Sequence, residues 1–423
     1  MVQILLFWKR NQFVTLRFFT LLTGFIINIA CVNYILKQHG DTDFVIFSFI
    51  SSLPALLNFL DFGLGTAVYN SQVDGSRVSR VKNLALREEK TLIYLFSVCL
   101  SLVCIALVLI TFFVFPNLFD LAILKNPNQK SLFLYAIILV CITSPFTISY
   151  KILLAENKNS QVIVIQGFIP LLTFLIVASG YFFRWTWISL LATPISMLVI
   201  SVLSYVHSDQ FEITKISNIS GKMRQISTTL LRHSLLSVIA ILLANAVAFL
   251  PRYILALNGN EKELVKLSFM TMFLISTQSL ISVEAQARVT KIRLTKGFET
   301  TLLVRQATYK CLILASILSL GMFSLPLIGD ILDLRLISLS EAACASLLLL
   351  LWASQIVTSI ANSQTKNIKF FILLYSISLL ILFFNWKFFE IKSFLQIFCL
   401  ILLPAYLLAA MIVIGKFKFT IRY

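Results

Sequence analysis

Apolar runs of about 20 residues recur along almost the whole of this 423-residue chain, and they limit its fold more than any other feature. A run of that length crosses the hydrocarbon core of a bilayer, about 30 Å thick, as an α-helix. The chain is 59% hydrophobic with a mean hydropathy of +0.92, so a soluble domain would lack the polar surface to cover it. Because backbone groups in lipid must bond internally, the sequence predicts an all-α polytopic membrane protein.

The apolar runs predict about twelve transmembrane helices. Two pairs of runs, those joined around Arg184 and around residues 387–392, are connected by little more than a turn. The approximate ranges are 13–36, 44–69, 91–115, 131–150, 162–183, 185–206, 234–257, 264–286, 302–328, 336–361, 369–386 and 393–415.

Basic residues in the connecting segments predict the orientation of the helices. With the N-terminus inside, 22 of the 35 Lys and Arg residues fall in inner segments and nine in outer ones. This alternating excess predicts that both termini are cytoplasmic. The net charge of +17 is then mostly a topology signal, and it also favours contact with anionic membrane lipids. No loop is long enough to carry a basic patch on a folded domain, so we expect no nucleic-acid partner.

Metal-dependent and catalytic functions have little support in the sequence. The seven Cys residues all fall in predicted spans, so we expect no disulfides, and the three His residues are scattered. We therefore predict no metal site and no cofactor. The longest outer loop, residues 116–130, is too short to present paired catalytic carboxylates, and no P-loop or nucleophile elbow occurs. The expectation is a non-enzymatic protein without catalytic residues.

A polar stretch at residues 207–233 divides the chain into six predicted spans before it and six after it. Residues 34–36 and 253–255 both read Tyr-Ile-Leu, each closes the first span of its half, and Gly40 and Gly259 follow. An even number of spans per half gives both halves the same orientation. We therefore predict two six-helix lobes related by a pseudo-two-fold along the membrane normal, with a cytoplasmic linker between them: 1–206, 234–423 and 207–233, respectively.

Three stretches resemble the polysaccharide flippases of the multidrug/oligosaccharidyl-lipid/polysaccharide (MOP) exporter superfamily. They are LDFGLGTAVYN closing the second span (60–70), YKILLAENKNSQ at the end of the fourth (150–161) and RYILALNG closing the seventh (252–259). The chain looks in particular like the Wzx-type O-antigen flippases. The predicted plan of twelve spans in two lobes also fits this superfamily.

This resemblance implies a MATE-like fold in the bacterial cytoplasmic (inner) membrane. It further implies alternating access that moves undecaprenyl-pyrophosphate-linked oligosaccharide, an O-antigen or capsule repeat unit, to the outer leaflet. Such a protein would serve lipopolysaccharide or other polysaccharide biosynthesis, with a glycan polymerase and a chain-length regulator as further partners.

Candidate substrate-binding residues are the cations that lie in or beside predicted spans, where they would neutralise the pyrophosphate. For those near a membrane surface, snorkelling toward headgroups is the alternative. Lys310 is deep if the ninth span starts near Leu302 and interfacial if it starts at Cys311. The four candidates are Arg17 and Lys151 near cytoplasmic ends, Arg252 near the outer surface, and Lys310.

Embedded carboxylates bear on the competing hypothesis, an ion-coupled exporter of small molecules or drugs from the same superfamily. Asp61 lies near the inner end of the second span as a candidate coupling or structural carboxylate; an interfacial carboxylate beside closely packed helices is the alternative. Cation export needs such a group, and the sequence offers Asp61 and Glu284, both near the inner edge. The excess of embedded cations favours an anionic substrate.

Overall fold

The computed structural model describes residues 2–56, 82–116, 127–155, 158–207, 252–255, 262–271, 298–324, 338–362 and 375–381, with single positions between them. These segments are almost entirely helical and contain no β-strand. The chain forms two compact units: Ile26–Asn245 (the 26–245 unit), and Met1–Phe25 together with Ala246–Tyr423 (the 246–423 unit). The lobe boundaries expected from the sequence stay a prediction.

The first helix, α1, runs from Val2 to Ser52 and continues as a 3-10 turn from Leu53 to Leu56. The connection predicted between the first two spans contracts to Gly40, whose φ of 81° and ψ of −178° interrupt the helix. This left-handed conformation would cost another residue about 1–2 kcal/mol, whereas glycine adopts it freely. Gly40 therefore lets the chain change direction without a loop.

The rest of the described 26–245 unit is a bundle of helices in which α3 is central. Its further helices are α2 (Lys82–Val114), α3 (Pro127–Ala155), α4 (Asn159–Phe182), α5 (Thr186–Leu190) and α6 (Ala192–His207). Helix α3 packs against α2 and α6, and α4 packs against α6. The stretches Tyr94–Val114, Asn128–Tyr150 and Gln161–Phe182 are long and apolar enough to cross a membrane, in agreement with the spans predicted at 91–115, 131–150 and 162–183.

The span predicted at 185–206 is divided into α5 and α6, with a turn at Leu191 between them. Pro194 explains the division. Proline has no N–H to bond the carbonyl four residues earlier, here Leu190, and it is tolerated in the first turn of a helix. The helix therefore restarts at Ala192, two residues before the proline.

Contacts at the helix ends fit the predicted alternation of direction. The membrane-length stretch of α2 begins at Tyr94. The ring of Tyr94 packs edge-on against that of Tyr205, near the end of α6, with ring centroids 4.7 Å apart. At the opposite end of the unit, the Tyr181 hydroxyl of α4 donates to Gln38 Oε1 of α1 at 2.9 Å. Helices α2 and α6 therefore run antiparallel, whereas α4 and the part of α1 before Gly40 end on the same side, as the predicted alternation requires. Which end faces the cytoplasm stays a prediction.

Pro145 lies inside α3 and would leave a backbone carbonyl without its helical partner. The affected carbonyl is that of Cys141, four residues earlier, and the neighbouring helix replaces the missing donor. Ser101 of α2 donates its hydroxyl to Cys141 O at 2.5 Å, and both residues are buried. A buried serine on one helix thus permits a proline in the middle of another, as membrane helices require.

Small side chains join the two longest described helices of the 246–423 unit, α7 (Phe298–Phe323) and α8 (Leu339–Asn362). Each of the hydroxyls of Ser319 and Ser346 lies 3.4 Å from the other's backbone carbonyl. Small residues allow close backbone approach where lipid removes the hydrophobic drive for association. The buried small residues are Ala307, Cys311, Ala315 and Ser319 on α7, and Ala342, Ala345, Ser346 and Ala353 on α8.

Substituting Ser101→Ala removes the donor that satisfies Cys141 O. We expect a loss of about 1 kcal/mol in stability, since a buried carbonyl next to proline then has no partner. Thermal denaturation of the purified protein in lipid nanodiscs measures it. Ser316→Ala is the matched control, because that exposed hydroxyl only bonds the Leu312 carbonyl of its own helix. Equal melting temperatures for the two variants would contradict the role of Ser101.

Arg184 occupies the position after the end of α4 where glycine is usual, with φ of 59°. The N–H of Trp185 donates to Gly180 O at 2.6 Å and that of Arg184 to Tyr181 O at 3.0 Å, which forms a Schellman motif. Arg184→Gly should stabilise the protein by about 0.5–1 kcal/mol, because the left-handed residue loses its Cβ. Arg184→Ala removes the charge but keeps the Cβ. An equal rise in melting temperature for both would disprove the backbone explanation.

Candidate functional site

Arg252 is a cation inside the protein. Residues 252–255 are helical, and the Arg252 side chain is 7% exposed beside Ile254 and Leu255, which are buried as well. Its Nε is fully enclosed and has no hydrogen-bond partner among the residues that the structure describes. A buried donor of a charged group that is left without a partner is unfavourable by about 1–3 kcal/mol or more. An anion that binds at Arg252 would recover this free energy, and snorkelling to headgroups does not describe a side chain so enclosed.

Lys310 lies well inside α7 and its side chain is exposed. The membrane-length stretch of α7 begins at Leu302, so Lys310 is about 12 Å along the helix from that point. Lys310 therefore lies within a stretch of helix that is long and apolar enough to cross a membrane, and its depth in the bilayer stays a prediction.

Polar side chains cluster around Lys310 on the side of α7 that does not face α8. Arg305, Gln306 and Tyr309 are exposed with it, and the Arg305 guanidinium lies 5.7 Å from the centre of the Tyr309 ring. The remainder of the exposed face toward the end of α7 is mostly apolar, as at Ile317. The spacing of four between Arg305 and Tyr309 is the sequence signal for this contact, and sequence reasoning did not use it.

The other predicted site residues are described only in part. Arg17 lies on the helical backbone of α1, and Lys151 lies on α3 four residues before its last residue, Ala155. Their side chains and the whole of Asp61 lie outside the described residues. Arg17, Arg252 and Lys310 belong to the 246–423 unit, whereas Lys151 belongs to the 26–245 unit. Their role as one substrate site stays a prediction.

A buried carboxylate that sequence reasoning missed stands at the start of α8. Glu341 is 4% exposed; its Oε2 accepts the Ser338 N–H at 2.7 Å, while its own N–H donates to Ser338 Oγ at 3.4 Å. This is a capping box, and its sequence signal is Ser338-Leu339-Ser340-Glu341. Lys266 lies 3.9 Å from Glu341 and 3.0 Å from Glu263. Glu341 is thus engaged in structure, which leaves Arg252 without this carboxylate as a partner.

No metal-binding arrangement occurs in the part of the chain that the structure describes, where no group of three His, Cys, Asp or Glu residues could hold an ion. The described Cys residues are free thiols.

No family model matches the chain, and no curated protein sequence matches it. Solved structures do resemble it over nearly its full length. An inward-facing multidrug resistance MATE family transporter of the MOP superfamily superimposes with a TM-score of 0.64 at 12% identity, covering 96% of this chain and 98% of that one. The MATE multidrug transporter DinF-BH, in a ligand complex, gives 0.64 at 12% identity, with 96% and 94% covered.

A third similar structure is a MOP superfamily transporter from Pyrococcus furiosus, described as having a binding pocket of reverse polarity that suggests a different function. It superimposes with a TM-score of 0.58 at 12% identity, covering 97% of this chain and 96% of the transporter. Identities this low establish the fold and no more. The chain has the polytopic, all-α fold of the MATE transporters of the MOP superfamily.

Proposed function

We propose that this protein is a flippase that moves undecaprenyl-pyrophosphate-linked oligosaccharide, an O-antigen or capsule repeat unit, from the cytoplasmic to the outer leaflet by alternating access. The protein works in the bacterial cytoplasmic membrane with both termini in the cytoplasm. A glycan polymerase and a chain-length regulator act on the product outside. The MATE fold supports a transporter, and the three stretches that resemble polysaccharide flippases support this substrate class.

The observation that carries the proposal is the buried Arg252 with an unpartnered Nε. A guanidinium in the interior of a membrane protein suits phosphate, because its planar donors match two phosphate oxygens at once. A bare pyrophosphate in hydrocarbon would cost many kcal/mol, so a carrier must supply neutralising cations. Arg17, Lys151 and Lys310 are the others to which we assign this role.

Export of small molecules or drugs is the second candidate, and the named activity of two of the similar structures favours it. A cationic drug needs a carboxylate in the membrane interior. Glu341, the buried carboxylate at the start of α8, is held by Ser338 in a capping box and lies near Lys266. The binding pocket of the similar Pyrococcus furiosus transporter is described as having reverse polarity, which suggests a different function for that protein.

Replacing Arg252 by methionine separates a functional arginine from a structural one. Arg252→Met keeps the unbranched stem of the side chain but removes the buried charge with its unpaired Nε. We expect it to raise stability by about 1–3 kcal/mol while lowering translocation at least tenfold. Thermal denaturation gives the first value. Translocation is measured in cells that lack the native gene and in which later glycan assembly is blocked. An external glycan-modifying probe then reports how much lipid-linked oligosaccharide is accessible from outside.

Arg184→Gln is the control for charge removal, since Arg184 is exposed at the turn after α4, and it should keep full translocation. Unchanged translocation by Arg252→Met would remove Arg252 from the site. Reduced stability of that variant would assign Arg252 a structural role. If the oligosaccharide is equally accessible in cells that lack the protein altogether, the flippase proposal fails and drug efflux becomes the function to assay.

A further inference from the structure

Exposed aromatic side chains crowd the connection between α4 and α5. Phe182 is 80% exposed and Phe183 57%. Trp185 and Trp187 are each 52% exposed. Phe183 stacks on Trp185 with ring centroids 5.3 Å apart, and Phe182 meets Phe183 edge-on at the same distance. Three of the four rings thus form one continuous apolar surface, which is the kind of surface that marks an interaction site.

The backbone beneath these rings is firmly held. In addition to the Schellman motif at Arg184, the Ser189 hydroxyl of α5 donates to the Val177 carbonyl of α4 at 3.1 Å. Gly180 permits this close approach, because a Cβ at that position would collide with Ser189 Oγ. The aromatic surface is therefore carried by a fixed turn.

A second pair of exposed aromatic residues lies at the end of α2. Helix α6 packs along α4 after a short connection, so these two run antiparallel, and α2 is antiparallel to α6 as well. The membrane-length stretches Tyr94–Val114 and Gln161–Phe182, of 21 and 22 residues, therefore end on the same side of the unit. Phe113 is 74% exposed and Phe115 58%. We call the six residues at this side the aromatic end: Phe113, Phe115, Phe182, Phe183, Trp185 and Trp187.

Polar groups at the aromatic end indicate its partner. Lys37 is exposed one residue before Gln38, whose Oε1 accepts the Tyr181 hydroxyl of α4. The indoles of Trp185 and Trp187 each carry one N–H donor on an otherwise apolar body. The boundary of a phospholipid bilayer complements all of these groups. It offers acyl chains to the rings, and carbonyl and phosphate oxygens to the N–H and ammonium groups.

We propose that the aromatic end binds the headgroup boundary of a phospholipid bilayer and thereby fixes the level of the 26–245 unit in the membrane. Tryptophan suits this boundary because its large ring prefers acyl chains while its N–H stays near water and headgroup oxygens. Rings on a fixed turn lose little conformational freedom when lipid packs around them. Since no substrate takes part, the same anchoring serves a flippase and a drug exporter.

Quenching of tryptophan fluorescence by brominated lipids measures the depth of the aromatic end. Three of the five tryptophans are replaced by Phe, at Trp8, Trp352 and Trp386, so that only Trp185 and Trp187 emit. The full chain is reconstituted in phosphatidylcholine vesicles whose acyl chains are brominated either near the headgroup or near the terminal methyl. Shallow bromines should quench these two tryptophans about threefold more strongly than deep bromines.

Val103→Trp is the matched control, introduced into a chain in which every native tryptophan is replaced by Phe. Val103 is 55% exposed and lies near the middle of Tyr94–Val114. Deep bromines should quench this tryptophan more strongly than shallow ones. Equal or stronger quenching of Trp185 and Trp187 by deep bromines would overturn the anchoring. So would quenching by aqueous iodide and by neither lipid, because the surface then faces water or a soluble partner.

The unaltered chain provides a check that requires no loss of tryptophan. In nanodiscs, a phospholipid with a photoreactive group beside its headgroup should label residues 181–187 about threefold more than one with the group at its chain end. Mass spectrometry maps the labelled peptides. Equal labelling by the two lipids, or the reverse preference, contradicts the anchoring. Crosslinking of residues 181–187 to a second copy of the chain would overturn it in favour of self-association.

Discussion

Every backbone N–H and C=O inside the bilayer must find a partner within the protein, because lipid offers none. Long uninterrupted helices are the direct result, and the exceptions follow the same requirement. Pro145 removes one helical hydrogen bond from α3, and Ser101 of α2 supplies the replacement at 2.5 Å. Gly40 interrupts α1 and Arg184 follows the end of α4, each with a positive φ at a single residue.

Side-chain hydroxyls obey the same requirement within single helices. Many of them donate to the backbone carbonyl three or four residues earlier, so the hydroxyl is satisfied without a partner on another helix. Between helices, small residues replace the hydrophobic effect as the means of close packing. Ser319 and Ser346 are small, buried residues at the α7–α8 contact, and each hydroxyl also lies 3.4 Å from the other residue's backbone carbonyl. The residues with hydroxyls bonded four residues back include Thr111, Thr143, Thr173, Ser196, Thr271, Thr308, Ser316, Ser346 and Ser376.

The proposed function rests on charged side chains that depart from this pattern of internally paired polar groups. Arg252 is buried, and its Nε has no hydrogen-bond partner among the described residues, an unfavourable arrangement that the proposed anionic substrate would relieve. Lys310 and Arg305 are exposed on a helix whose neighbouring surface is apolar. Glu341 illustrates the opposite case, since its carboxylate is satisfied by the start of its own helix. Glu341 and Arg252 thus differ in pairing and not in burial, and this difference is why the proposed site includes Arg252.

The sequence by itself determined the all-α membrane class and, among the described residues, the approximate positions of four membrane-length helices, because hydropathy over 20 residues depends only on the local sequence. It also marked Arg252 and Lys310 as cations of interest. Only the tertiary structure decided that Arg252 is enclosed, that Lys310 is exposed, that Glu341 caps α8 and that exposed aromatic residues of α2 and of the turn after α4 lie at one end of the 26–245 unit. Burial and pairing depend on residues that are far apart in the chain. No local sequence pattern specifies which side of one helix will contact another helix.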